Sequence, residues 1–299
     1  MTTPGAEDGA RPATAGRAPS RDSDIPASES SDVPLLQLRG IGKSFGPVKA
    51  LSDINLDIPI GKVTALVGDN GAGKSTLIKT IAGIWEPTSG ELLWNGKRVH
   101  LHGPKDATDL GIATVYQDLA LCDNLDIVQN MLLGHELRRH GLLDEVSMEL
   151  TAKQTLADLR VVTVRSIRQP VGSLSGGQRQ SVAVAKAVML DARLVILDEP
   201  TAALGVSQTE LVLDLIGRLK SRGHGVIVIS HNLTEVFQVA DRIAVLYLGR
   251  LASAGPASDY DVQSVVDLMT TGISARGGGT NGNASEPAPS RGRGSGMEG

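Results

Sequence analysis

At 299 residues and 41% hydrophobic content, the chain is long enough to bury one substantial core. Its net charge of -4, with both signs interspersed, lacks the basic face or tract that DNA or RNA binding needs, so nucleic acid is not expected as a partner. Its single cysteine, Cys122, cannot close an internal disulfide and reads as a small apolar filler.

In chain order, residues 1–33 are rich in Pro, Ala, Ser and Gly and read as a disordered tail, since such a composition cannot bury enough apolar surface to offset chain ordering. No apolar core of a signal peptide occurs there, and no stretch of the sequence approaches the ~20 apolar residues of a membrane helix. The expectation is a cytoplasmic protein whose membrane-crossing partner, if transport is its task, is a separate polypeptide. Strands are predicted at Leu35 to Leu38, Val48 to Leu51 and Ile54 to Ile58, the last alternating with period two as in a half-exposed antiparallel sheet. Lys62 to Val67 reads as an apolar strand running into a glycine loop, with a helix over Lys74 to Ala82. Short β-branched runs at Ile112 to Tyr116, Val195 to Leu197, Val226 to Ser230 and Arg242 to Leu246, separated by helical patterns, read as buried parallel strands with helices on both faces. Between about 126 and 190 the pattern is mostly helical, ending in a helix that begins at Gly176 and Gly177. Residues 273–299, Gly-rich with Ser and Arg, read as a second flexible tail. The domain between the tails is expected over 34–272, with one glycine loop and therefore one nucleotide-binding unit.

Three segments carry chemistry. Gly68-Asp69-Asn70-Gly71-Ala72-Gly73-Lys74-Ser75-Thr76 contains G-x-x-x-x-G-K-[ST] between a strand and a helix, the context that a phosphate cradle requires. Its glycines let backbone N–H groups curl around phosphate oxygens at a helix start that carries about half a positive charge. Lys74 is placed to reach the β and γ phosphates and Ser75 to ligate Mg2+. Asp198 and Glu199 end an apolar strand, where ligands of open α/β sheets collect; Asp198 is assigned to the metal and Glu199 to polarising the attacking water. Leu174-Ser175-Gly176-Gly177-Gln178 is a helix cap whose serine and glycine N–H groups favour an anion.

The order of these segments, and above all Leu174-Ser175-Gly176-Gly177-Gln178, resembles the ABC ATPase family over roughly Leu35 to Thr271. The resemblance implies an α/β P-loop NTPase fold with a parallel core sheet, an antiparallel β subdomain and a helical signature subdomain, binding ATP with Mg2+. It implies that Ser175, Gly176, Gly177 and Gln178 face the γ phosphate held by the opposite subunit of a head-to-tail homodimer. Phe45 matches the aromatic that stacks on adenine, with a core role as the alternative; Gln117 matches the glutamine that contacts Mg2+ or water; His231 matches the histidine that bonds the γ phosphate. Gly111-Ile112-Ala113-Thr114-Val115-Tyr116-Gln117, Leu125-Asp126-Ile127 and Pro200 to Val206 look like the ribose, xylose and fructose importers, closest to the single-unit fructose type. Two membrane-spanning permease subunits and an extracytoplasmic sugar-binding protein are the implied partners, and the cytoplasmic face of the membrane the implied place. An exporter subunit and a regulator that binds ATP without turnover are the rival readings. Gly205 stands where the family's loop has an aspartate, which puts communication across the dimer in doubt. His100 and His102 alternate on an expected strand face and, without nearby acidic or Cys ligands, read as solvated; Trp85 and Trp94 read as packing residues.

Overall fold

The computed structural model describes residues 33–161 and 166–273; the two expected tails lie outside this range apart from Val33 and Ile273. The strands are β1 (Leu36–Phe45), β2 (Val48–Ile58), β3 (Val63–Gly68), β4 (Ser89–Trp94), β5 (Lys97–Val99), β6 (Ile112–Val115), β7 (Arg138–Arg139), β8 (Leu142–Leu143), β9 (Leu194–Asp198), β10 (Gly225–Ile229), β11 (Arg242–Tyr247) and β12 (Arg250–Pro256). The α-helices are α1 (Lys74–Ile81), α2 (Pro104–Asp109), α3 (Ile127–Leu132), α4 (Glu145–Asp158), α5 (Gly176–Met189), α6 (Val206–Ser221), α7 (Leu233–Val239) and α8 (Val262–Thr271).

A four-stranded antiparallel sheet runs in the order β2-β1-β4-β5. Leu35 to Leu38 extends to a ten-residue strand, and the two pieces expected over Val48 to Ile58 merge into one. Interruptions in the apolar alternation concealed this. Leu38 and Ile41 are three residues apart, so strict pleating would turn them to opposite faces. Both are buried because the register shifts between them, with Gly40 in the left-handed region and its N–H bonded to Asn55 Oδ1 at 2.8 Å. Leu51 and Ile54 on β2 pose the same problem, and Asp53, at φ 52°, supplies the matching irregularity.

The second sheet has six strands in the order β12-β11-β3-β10-β9-β6, parallel except for the β11–β12 hairpin. Every residue of β3 and β10 is buried, as expected of strands covered on both faces. Alternate residues feed different cores. Leu194 and Ile196 of β9 and Ile227 and Ile229 of β10 join Leu77, Ile78 and Ile81 of α1 and the antiparallel sheet. Val195, Leu197, Val226 and Val228 point the other way, into a core shared with α3, α4, α5 and α6. A third cluster seats α7 and α8 on β3 and β11 through Ala65, Val67, Val236, Val245 and Val265. Burying each such aliphatic side chain is worth about 1.5–3 kcal/mol.

The segment read as mostly helical holds α3, α4 and α5, and also a tight hairpin of β7 and β8 turned by His140 and Gly141, both at positive φ. His100 and His102 are not on a strand, since β5 ends at Val99. The expected lack of acidic neighbours also fails for His102: its Nδ1 lies 3.0 Å from Glu86 Oε1 and its N–H donates to Asp106 Oδ2 at 2.8 Å, all exposed. Cys122 is only half-buried, so it fills no core gap.

One polar clasp closes the sheet's amino end. Asp241 accepts from Lys220 Nζ at 2.6 Å and from the Val63 N–H at 2.9 Å. Desolvation pushes its pKa up, but the ammonium and the amide outweigh it and hold the carboxyl below its usual value. A carboxylate with a depressed native pKa contributes stability that is full above its unfolded pKa and is lost as pH falls through the native one. The thermal midpoint of the wild type is therefore expected to fall more steeply on acidification below about pH 4 than that of Asp241→Asn; parallel midpoints by calorimetry across that range would remove the clasp.

Candidate functional site

Four strands of the six-stranded sheet end at one edge because β3, β6, β9 and β10 are parallel. The glycine loop follows β3, Gln117 lies just beyond β6, Asp198 and Glu199 close β9, and His231 follows β10. The glycine loop, Gln117, Asp198, Glu199 and His231 thus share one crevice edge, the place where open α/β sheets bind ligands; the Ser175 to Gln178 turn does not.

The loop is shaped by close backbone approach. A Cβ on Gly68 would sit 2.5 Å from the Leu246 carbonyl oxygen, so no side chain fits where β3 meets β11. Gly73, at φ 102°, caps α1 in a conformation that only glycine adopts without strain. Asp69, Asn70, Gly71 and Ser75 are exposed, Ala72 is buried, and Thr76 lies half-buried in the first turn of α1. Lys74 folds back along the loop, donating from Nζ to the carbonyls of Gly68 at 2.6 Å and Asp69 at 3.0 Å. Burial lowers its pKa, countered by the negative charge of Glu199, Asp69 and Asp198.

Asp198 is half-buried, and its pKa is raised by desolvation and then by the like charge of Glu199, against the pull of Lys74 and Lys79. Two adjacent carboxylates that repel each other form a site that favours an added cation. Glu199 takes φ 50°, a costly backbone for a non-glycine residue. It is held there by its N–H on the Ile229 carbonyl at 3.0 Å and by His231, whose Nδ1 lies 2.7 Å from Oε2. Tyr116 is half-buried, and burial above all raises its pKa, with a push from Asp198 against a hydrogen bond with Thr114; the end of β6 lies beside the end of β9, where Val115 pairs with Leu197. Gln117 is exposed next to it.

Ser175 is the N-cap of α5 in a reciprocal capping box with Gln178: Ser175 Oγ accepts from the Gln178 N–H at 3.4 Å and Gln178 Oε1 accepts from the Ser175 N–H at 2.9 Å. One expected anion donor is engaged. The Gly177 N–H donates to Gln208 Oε1 at 3.3 Å, and Leu204 Cδ2 would lie 2.7 Å from a Cβ on Gly176, so the turn after Glu199 packs against the signature helix. Gly205 is the N-cap of α6 and offers no side-chain cap. The signature does not meet the cradle of its own chain. α5 packs into the core with α3, α4 and α6, while α1 packs into the core on the other face of the sheet.

Several supporting residues escaped the sequence reading. Thr201 Oγ1 bonds Glu235, which also accepts from Asn232 Nδ2 at 2.8 Å, tying the chain just after His231 to the turn that follows Glu199. Buried Asn130 ties the segment after Gln117 to α3 through the Cys122 N–H and the carbonyls of Cys122, Leu125 and Asp126. That segment reaches the signature: Gly172 N–H donates to Asp123 O at 2.9 Å, and Arg179 of α5 pairs with Asp123 at 3.0 Å. Asn130 sits four residues after an Asp126 cap, but nothing in the spacing says what its side chain will bind. Phe45 is 41% exposed, against its alternative core role, and Trp94 is buried. Changing Gly68 to alanine forces β3 off β11, and is expected to cost about 2 kcal/mol or more in chemical denaturation and to abolish nucleotide binding; an unaltered midpoint would show the loop to be yielding.

Comparison with known proteins bears on this geometry. The family described as ABC transporter matches residues 51–202. The fructose import ATP-binding protein FrcA of Rhizobium meliloti is 44% identical over 244 residues, 79% of this chain and 94% of that protein. The ribose import ATP-binding protein RbsA 1 of Agrobacterium fabrum is 40% identical over 80% of this chain, which spans only 47% of that protein. Among solved structures, an ATP-binding cassette in a dimeric post-hydrolysis state bound to ADP and Pi superposes with a TM-score of 0.63 at 25% identity, covering 74% of this chain and 98% of that one.

Proposed function

We propose, given that this chain belongs to the ABC transporter family of ATP-binding proteins, that it is the ATP-hydrolysing subunit of a monosaccharide importer. The observation that carries the reading is the convergence of Lys74, Asp198, Glu199 and His231 at one edge of the parallel sheet. Domain 34–272 is read as one ATPase unit with a helical part over about 126–190, flanked by tails.

ATP binding draws Lys74 off the Gly68 and Asp69 carbonyls and onto the β and γ phosphates, with loop N–H groups of Gly68 to Thr76 around them and Phe45 under adenine. Mg2+ suits the donors here: Ser75, Gln117 and Asp198 offer oxygen only, and the described residues hold no cluster of three His, Cys, Asp or Glu that would form a cage without substrate. When bound, the ion would neutralise phosphate charge. Glu199 accepts a proton from the attacking water, and His231, already in contact with Glu199, is placed to bond the γ phosphate.

The other half of the site comes from a second copy of the chain. With α1 and α5 on opposite faces of the sheet, Ser175, Gly176, Gly177 and Gln178 serve the triphosphate of the partner subunit in a head-to-tail homodimer. No helix among the described residues is long and apolar enough to cross a membrane. We read the pair as working peripherally on the cytoplasmic face, driving two permease subunits supplied with sugar by an extracytoplasmic binding protein, as the import names of its relatives suggest.

Glu199→Gln is expected to lower ATP turnover by about 10²–10⁴-fold and leave an ATP-bound dimer on size exclusion; an unchanged rate removes Glu199 as the base. In a Cys122→Ser background, cysteines at Ser75 and Ser175 are expected to crosslink between chains only when nucleotide is present. Crosslinks confined to single chains would exclude the shared site.

A further inference from the structure

The half-buried Trp85 has no part in the chemistry above, yet it is built into the adenine end of the site. Its ring meets Phe45 edge to face, with centroids 4.7 Å apart and planes at 74°. Only 2% of the chain is aromatic, so this pair is not the by-product of an aromatic core.

The surrounding bonds fix both partners. Trp85 follows α1, and the N–H groups of Ile84 and Trp85 donate to the Lys79 carbonyl at 2.9 and 3.2 Å. Lys79 Nζ then lies over the Trp85 ring, 4.9 Å from its centroid. On the β1 side, Lys43 Nζ sits 5.2 Å from the Phe45 centroid while donating to the Glu86 carbonyl at 2.7 Å. Thr88 closes the strap, its N–H on the Gly42 carbonyl at 2.7 Å and its Oγ1 accepting from the Ser44 N–H at 3.1 Å. Residues 84–88 thus join the last turn of the helix that begins at Lys74 to the strand end that carries Phe45. Without this backing, an exposed phenylalanine at a strand end would sample several rotamers.

We propose that Trp85 is a positioning residue for the adenine platform: it holds the Phe45 ring in one orientation, at a distance from the phosphate cradle that α1 sets. The inference rests on the reading of Phe45 as the surface that stacks on adenine. Trp85 acts on the base alone and leaves phosphate binding and the chemical step untouched.

The contact predicts a split in the kinetics. An edge-to-face aromatic pair contributes enough for Trp85→Ala to raise KM for ATP about three- to ten-fold, with kcat unchanged. Trp85→Phe restores most of the affinity. Inorganic tripolyphosphate, which has no base, inhibits wild type and Trp85→Ala with the same constant. In Trp94→Phe, where Trp85 is the remaining tryptophan, ATP shifts the emission and tripolyphosphate does not. The proposal is overturned by an unchanged KM in Trp85→Ala, by a fall in tripolyphosphate affinity alongside that for ATP, which would mean general damage to the fold, or by emission that ignores ATP. Phe45→Ala separates the two levels: if it weakens ATP and Trp85→Ala does not, only the positioning role fails, whereas an unchanged KM in Phe45→Ala removes the adenine platform itself.

Discussion

Parallel pairing of β3 with β10 and of β10 with β9 is the constraint on which the rest of this molecule depends. It gives the strands a common carboxyl end, so that the glycine loop, the acidic pair and His231 arrive together without any contact between them in sequence. The same sheet also divides the molecule. Its alternating side chains bury α1 on one face and α5 on the other, and the glycine cradle and the serine turn are separated by a wall of aliphatic residues. With the glycine cradle and the serine turn on opposite faces, the proposed head-to-tail second copy is what would bring one of each together.

The polar groups of the site are bonded to one another. Lys74 spends its hydrogen bonds on loop carbonyls, Glu199 and His231 hold each other, and Gln208 takes the N–H of Gly177. For Lys74 a triphosphate would offer anionic oxygens in place of neutral carbonyls, a stronger partner for an ammonium. The positive φ of Glu199 is the exception, since nothing locally relieves it; pairing of its neighbour Asp198 with Ile229 and the buried Pro200 after it hold the backbone in place.

The segment after Gln117 is bonded in two directions through Cys122 to Asp126. Asn130 staples it to α3, and Asp123 ties it to Gly172 and Arg179 on the approach to the signature helix. Hydrogen bonds and an ion pair thus connect the chain that follows Gln117 to the approach to Ser175. The turn from Leu204 to Gln208 adds a second connection, from the Glu199 strand end to the same helix.

Contiguous chemistry was legible in the sequence. The glycine loop, the acidic strand end and the Ser175 cap each draw their character from neighbours a few residues away, and the parallel strands announce themselves as short β-branched runs. β1 and β2 were read too short because the bulges at Gly40 and Asp53 break the period that reveals a strand, and His100 and His102 were placed on a strand that stops before them. Pairs distant in the chain left no local trace: Phe45 with Trp85, Glu199 with His231, Gln208 with Gly177. Sequence alone thus determined which groups the proposed ATP chemistry draws on, because backbone conformation and residue type set their character within a few positions. Which of those groups face one another, and which are kept apart by the sheet, was decided only by tertiary packing, since strand order and the burial of alternate faces are properties of the assembled core.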